Sequence, residues 1–260
     1  MINISSRFHA RTGDNVGIGG FILQGNAPKK VIVRGIGPSM QINGTPVPGR
    51  LADPMLELHD GSGAIILTND NWRSSQEQEI MDSGLAPADD REAAIVITLQ
   101  PGSYTGIIKG VNDTIGVALV EIFDLDDASN PAQLANLSTR AFVSTDDDVL
   151  IGGVILRGGK SGRVVFRGIG PSLKVDDTPV PGRLEDPILA LHDGNGALMT
   201  SNDNWKEAPN FAEVQLSGLA PTDDRESAIL TTLTPGNYTA IMRGVNRTTG
   251  IGLVEVYNIE

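Results

Sequence analysis

The side chains best placed to do chemistry are carboxylates, and they come in two matched sets. Asp70 and Asn71 follow a strand-like run, and Asp89, Asp90 and Glu92 precede another. Asp203, Asn204, Asp223, Asp224 and Glu226 repeat the pattern later in the chain. Oxygen-rich loops of Asp and Asn at alternating spacing can wrap a Ca²⁺ with roughly six to eight ligands. The same residue types also cap turns by bonding their own backbone, and spacing alone leaves both readings open.

Other chemistries find less support. The glycine-rich run Arg34-Gly35-Ile36-Gly37-Pro38-Ser39 follows a strand, but a phosphate loop needs a helix next. Thr45-Pro46-Val47-Pro48-Gly49-Arg50 cannot be helical, so the run reads as a rigid glycine bulge. Its Arg34, with Arg167 in the second set, is expected to pair with a carboxylate such as Asp53 or Asp186. His59 and His192 lie at strand ends beside Asp60 and Asp193, and Ser39 lacks nucleophile-elbow spacing, so no hydrolase triad is expected. Trp72 and Trp205, the only tryptophans, read as lids on a core.

The elements that carry these residues form a duplication. Residues 34–60 and 167–193 are identical at 19 of 27 positions, Asn69-Asp70-Asn71-Trp72 returns as Asn202-Asp203-Asn204-Trp205, and GLAPADDREAAI returns as GLAPTDDRESAI. The period is that of a whole domain rather than of a solenoid unit, which runs to about 20–50 residues. Short alternating or continuous apolar runs, bounded by Gly, Pro, Asn and Asp, predict eight strands per repeat. In the first repeat they lie near 2–9, 16–24, 29–35, 54–59, 63–68, 92–99, 103–110 and 115–123. A single short helical turn is predicted over 75–83, with a counterpart at 208–217. The fold class is all-β: two tandem antiparallel β-sandwiches of jelly-roll-like type, with repeat one over 1–125, a linker over 126–134 and repeat two over 135–260.

The totals agree. The chain has 31 glycines, 15 prolines, no cysteine and a net charge of −12, with −7 in residues 1–133 and −5 in 134–260. Without cysteine there is no disulfide and no thiol chemistry. Acid on both repeats disfavours nucleic acid, whose phosphates need a basic surface. No apolar run approaches the ~20 residues of a membrane helix, so no membrane insertion is expected, and the N-terminus carries no apolar signal core.

Asp53-Pro54-x-Leu56-x-Leu58-x-Asp60-x-x-Gly63, then Asn69-Asp70, Asp90-Arg91 and Pro101-Gly102-x-Tyr104, resembles the bacterial pre-peptidase C-terminal domain. The likeness covers about 53–110 and 186–244, a little under half of the chain. Members of that family are β-sandwiches appended to secreted proteases and other exported proteins, and some bind Ca²⁺. Carried over residue by residue, the resemblance implies Ca²⁺ ligands at Asp70, Asp90 and Glu92, and at Asp203, Asp224 and Glu226. The chain departs from the family pattern at Asn71-Trp72, where the family has an acidic or glycine continuation.

The terminal strands offer a different site. Ile2–His9 and Ile251–Ile259 alternate apolar residues and carry no guarding proline or lysine. Ile2, Ile4, Leu253, Val254 and Val256 are therefore expected to meet a partner, most simply another copy joined head to tail. The expectation is a non-enzymatic structural or interaction protein, outside the cell or on its surface, whose copies assemble into a filament. The alternative is a Ca²⁺-dependent adhesion module for a surface polysaccharide or protein.

Overall fold

The computed structural model describes residues 3–127 and 129–259. In the first repeat the strands are β1 (Asn3–Ala10), β2 (Gly17–Gln24), β3 (Lys29–Ile36), β4 (Gln41–Ile42), β5 (Thr45–Pro46), β6 (Pro54–His59), β7 (Ile65–Asn69), β8 (Ala93–Leu99), β9 (Gly102–Gly110) and β10 (Gly116–Asp124). The second repeat supplies β11 (Gln133–Val143), β12 (Leu150–Leu156), β13 (Gly162–Ile169), β14 (Lys174–Val175), β15 (Thr178–Pro179), β16 (Pro187–His192), β17 (Leu198–Asn202), β18 (Ser227–Leu233), β19 (Gly236–Gly244) and β20 (Gly250–Asn258). One short helix precedes β8 and another β18: α1 (Glu77–Asp82) and α2 (Phe211–Leu216). Among the described residues no helix is long and apolar enough to cross a membrane.

The main strands form two antiparallel eight-stranded sheets, an all-β sandwich. One runs β17-β16-β19-β12-β1-β10-β3-β8 and the other β18-β13-β20-β11-β2-β9-β6-β7. Within a repeat the eight main strands take the jelly-roll order, β1-β10-β3-β8 facing β2-β9-β6-β7. The strand alternation explains the pairing: on β1, Ile4, Phe8 and Ala10 point inward and are buried, while Ser5, Arg7 and His9 stay partly exposed. The predicted strands all appear. Sequence reading missed the two-residue hairpins β4–β5 and β14–β15, which are too short to show a period.

The two repeats share both sheets. β1 pairs with β10 of its own repeat and with β12 of the other, while β11 pairs with β20 and with β2. One apolar cluster runs through both repeats, from Ile4 and Phe8 to Val254 and Val256. The segment between them is tied down as well. Lys29, fully buried, places Nζ 2.8 and 2.7 Å from the Asp124 carboxylate oxygens, and Asp126 accepts from the Lys30 amide. Gly162 stands at the corresponding place in repeat two, so this anchor is not duplicated.

Candidate functional site

The six implied metal ligands are not brought together. Glu92 is fully buried, and its carboxylate accepts from the amides of Gly37 (3.0 Å), Ser39 (2.8 Å) and Asp89 (3.3 Å) and from the Ser39 hydroxyl. Glu226 makes the same bonds to Gly170, Ser172 and Asp223. The glycine-rich loop is thus an anion cradle whose anion belongs to the protein. Gly37 is required there because a Cβ would run into the carbonyl oxygen of Leu51, and Gly170 meets Leu184 in the same way.

Asp90 is exposed and ion-paired with Arg73 at 2.6 Å, and Asp224 with Lys206 at 2.6 Å. Asp70 accepts from the Asn71 side chain, and one carboxylate oxygen of Asp203 is buried without a partner. Among the described residues no three carboxylate or histidine groups converge as a metal cage. Asp53 also has a buried, unpartnered oxygen. Burial, then the charges of Asp70 and Asp89, push its carboxyl above the usual range, with Arg91 opposing. Burial, Asp186 and Glu207 do the same to Asp203.

Arg34 does not pair with Asp53. It lies opposite Glu121 across β3 and β10, bonds that carboxylate through Nε and Nη2, and donates through Nη1 to the Leu85 carbonyl at 2.7 Å. Arg167 repeats this with Glu255 and Leu219 rather than with Asp186. Register decides it, because strand partners meet across the sheet while Asp53 sits beyond the loop.

Trp72 and Trp205 are buried. Trp72 packs with Ile32, Ile80, Ala94 and Val96, so it clamps its loop onto one face of β3 and β8. His59 bonds the Gly63 carbonyl and Glu57, and Ser39 bonds Glu92, so the two share no catalytic contact.

The terminal strands are not free edges. β1 and β20 each lie inside a sheet with partners on both sides. Ile4, Val254 and Val256 are sealed in the core, Leu253 is half-buried opposite Arg140 and Ile169, and Ile2 lies outside the described residues. The expectation failed because β1 finds its second partner, β12, in the other repeat, while β20 is flanked on both sides by β11 and β13 of its own.

The real edges are β7, β8, β17 and β18. Two of them are guarded. The Gln76 side chain donates to the Val96 carbonyl and accepts from the Val96 amide, and Asn69 accepts from the Ala94 amide. On β18, Asn210 and Asn202 take the Leu230 carbonyl and the Ala228 amide. Side-chain amides here stand in for a neighbouring strand. The faithful repeat of Asn69 as Asn202 was the visible signal of this role. Among the described residues β7 and β17 have no such guard. They contain no charged residue, and Ile65 and Leu198 are 58% and 60% exposed.

No known protein family matches the sequence, and no curated protein does. Among solved structures, one similar chain comes from "Life in the extremes: atomic structure of Sulfolobus Turreted Icosahedral Virus". That alignment covers 97% of this chain and 85% of the other, at 11% identity and a TM-score of 0.26. A superposition this loose carries no argument about either fold or function.

Proposed function

We propose that this is a non-enzymatic structural or interaction protein whose copies join end to end through β7 and β17. One observation carries the reading: in a chain of net charge −12, these two edges are uncharged, apolar and unguarded, while β8 and β18 beside them are blocked. The occupant is a second copy, because repeats of this sequence already join edge to edge within the chain through β1–β12 and β2–β11. β7 sits at one end of the molecule and β17 at the other, so a β7–β17 contact leaves a free edge at each end and need not close. The resemblance to domains appended to exported proteins supports a place outside the cell.

Light scattering across a concentration series tests the proposal. Mass is expected to grow with concentration, and the double variant Leu67→Lys, Met199→Lys is expected to abolish that growth by placing charge on both edges. A strict monomer at every concentration, or growth unchanged in the double variant, overturns it.

A further inference from the structure

The loop between β2 and β3 holds an acidic peptide, the chain's own tether of residues 124–132. The Leu125 amide donates to the Lys30 carbonyl at 3.0 Å, and the Asp126 carboxylate accepts from the Lys30 amide at 3.0 Å. The Asn130 side chain donates to the Pro28 carbonyl at 2.9 Å. Gly25, at a φ of 126°, lets the tether in: a Cβ there would lie 2.8 Å from Cα of Ala132 and 3.2 Å from the Pro131 carbonyl oxygen. Lys29, buried beneath, pairs with Asp124 and Asp126.

The loop between β12 and β13 is built on the same frame. Gly158 takes the place of Gly25 and keeps its backbone, at a φ of 124°. The Ile259 amide donates to the Arg163 carbonyl at 3.0 Å, as Leu125 does to Lys30. There the likeness stops. Among the described residues nothing lies within 4 Å of the position a Cβ on Gly158 would take. The track that the tether fills over repeat one is open at this point over repeat two.

The charges have moved to suit a new occupant. Gln24, Ala27 and Lys29 correspond to Arg157, Lys160 and Gly162, so one buried cation is lost and two exposed ones are gained. With Arg163 the loop carries three cations in the seven residues 157–163 of an acidic chain. Among the described residues Arg163 pairs with Glu213 at 2.8 Å, while Arg157 and Lys160 have no acidic partner. Both stand in solvent, where an incoming carboxylate reaches them without opening the fold. The tether also shows where they act. Gln24 lies opposite Gln133, and Ala27 adjoins the carbonyl that takes the Asn130 side chain. A peptide on the same path over repeat two brings its equivalents of Asn130 and Gln133 to Lys160 and Arg157.

We infer that the β12–β13 loop is a docking site for an extended acidic peptide segment of a partner protein, laid along the loop as the tether lies along β2–β3. The occupant is a peptide because the frame that holds one in repeat one is kept here, and it is acidic because the rim is basic. This site is separate from β7 and β17 and does not depend on assembly.

Amide-resolved NMR titration of the whole protein tests it. The probe is a peptide with the sequence of residues 126–133 carrying Asn130→Asp and Gln133→Glu, and the control carries Asn130→Lys and Gln133→Lys. The acidic peptide is expected to bind saturably, with shifts centred on residues 157–163, and the lysine peptide not to bind. In the double variant Arg157→Glu, Lys160→Glu, the acidic peptide is expected to weaken by about tenfold or more. Circular dichroism is expected to keep the β-sheet spectrum, since both residues are exposed. No saturable shifts, equal binding of the two peptides, shifts centred on residues 24–30, or undiminished binding in the double variant overturns the assignment.

Discussion

Ile4 of the first repeat lies directly opposite Val154 of the second, and both side chains are sealed from solvent. Two backbones that read as separate domains therefore meet inside one sheet, over one core. The first consequence is cooperativity. Scanning calorimetry is expected to give a single transition whose van't Hoff and calorimetric enthalpies agree. Ile4→Ala is expected to cost about 2–4 kcal/mol and to lower that whole transition rather than splitting off one repeat. Two resolved transitions would contradict the shared core.

Glu92→Gln and Glu226→Gln are each expected to destabilise by about 2–3 kcal/mol, because an amide cannot accept from all the donors now aimed at the carboxylate. For a chain of this size that lowers the melting temperature by roughly 5–10 °C. The loss is expected to be equal in calcium and in chelator, since the partners of Glu92 are amides and a hydroxyl. A loss that appeared only with calcium present would restore Glu92 as a ligand.

The β14–β15 hairpin holds Asp177 at a φ of 62°, where the first repeat has Gly44 at 80°. An L-residue in this left-handed region costs about 1 kcal/mol relative to glycine. Asp177→Gly is expected to raise stability by about that amount in chemical denaturation, with an unchanged m-value, whereas Gly44→Asp is expected to lower it. Equal midpoints for wild type and Asp177→Gly would refute this.

Asp53 and Asp203 give a pH signature. Their folded carboxyl groups sit above the usual range, so the folded state holds protons more tightly than the unfolded one. Their contribution is full below the unfolded carboxyl value of about 4 and is lost as pH rises through the raised folded value. Asp53→Asn and Asp203→Asn are thus expected to be neutral or stabilising near pH 7, by about 0.5 kcal/mol at most, with the benefit shrinking in acid. Asp60, held low by hydrogen bonds from the Ser62 hydroxyl and then the Ser62 and Ala64 amides, and Asp193, held low by the Ala197 and Asn195 amides, act in the opposite sense, which is why the comparison must be variant against wild type at each pH. A benefit that grew in acid would reverse the sign argued here.

The strands and their two-fold repetition were legible because inward and outward side chains alternate, as β1 illustrates with Ile4, Phe8 and Ala10. The role of Glu92 was not, since its donors Gly37 and Ser39 lie far upstream and a carboxylate offered to amides reads like one offered to a cation. The terminal strands misled for a related reason. The apolar alternation of Ile251–Ile259 shows that a strand is half-buried, but not that β11 and β13 flank it on both sides. Lys29 escaped notice because a buried cation is visible only once Asp124 and Asp126 are seen around it.

The crossed pairing of β1 with β12 and of β2 with β11 has a consequence for how such a chain can arise. A single repeat would leave two adjacent open edges, and a second identical repeat would fill both at once by a two-fold operation. The duplicated chain is then a symmetric dimer made covalent. Its short tether, pinned at Lys29, turns an encounter between two molecules into a step within one, so the association is insensitive to dilution. Each half is also left free to diverge, as Phe123 against Tyr257 and Lys29 against Gly162 show.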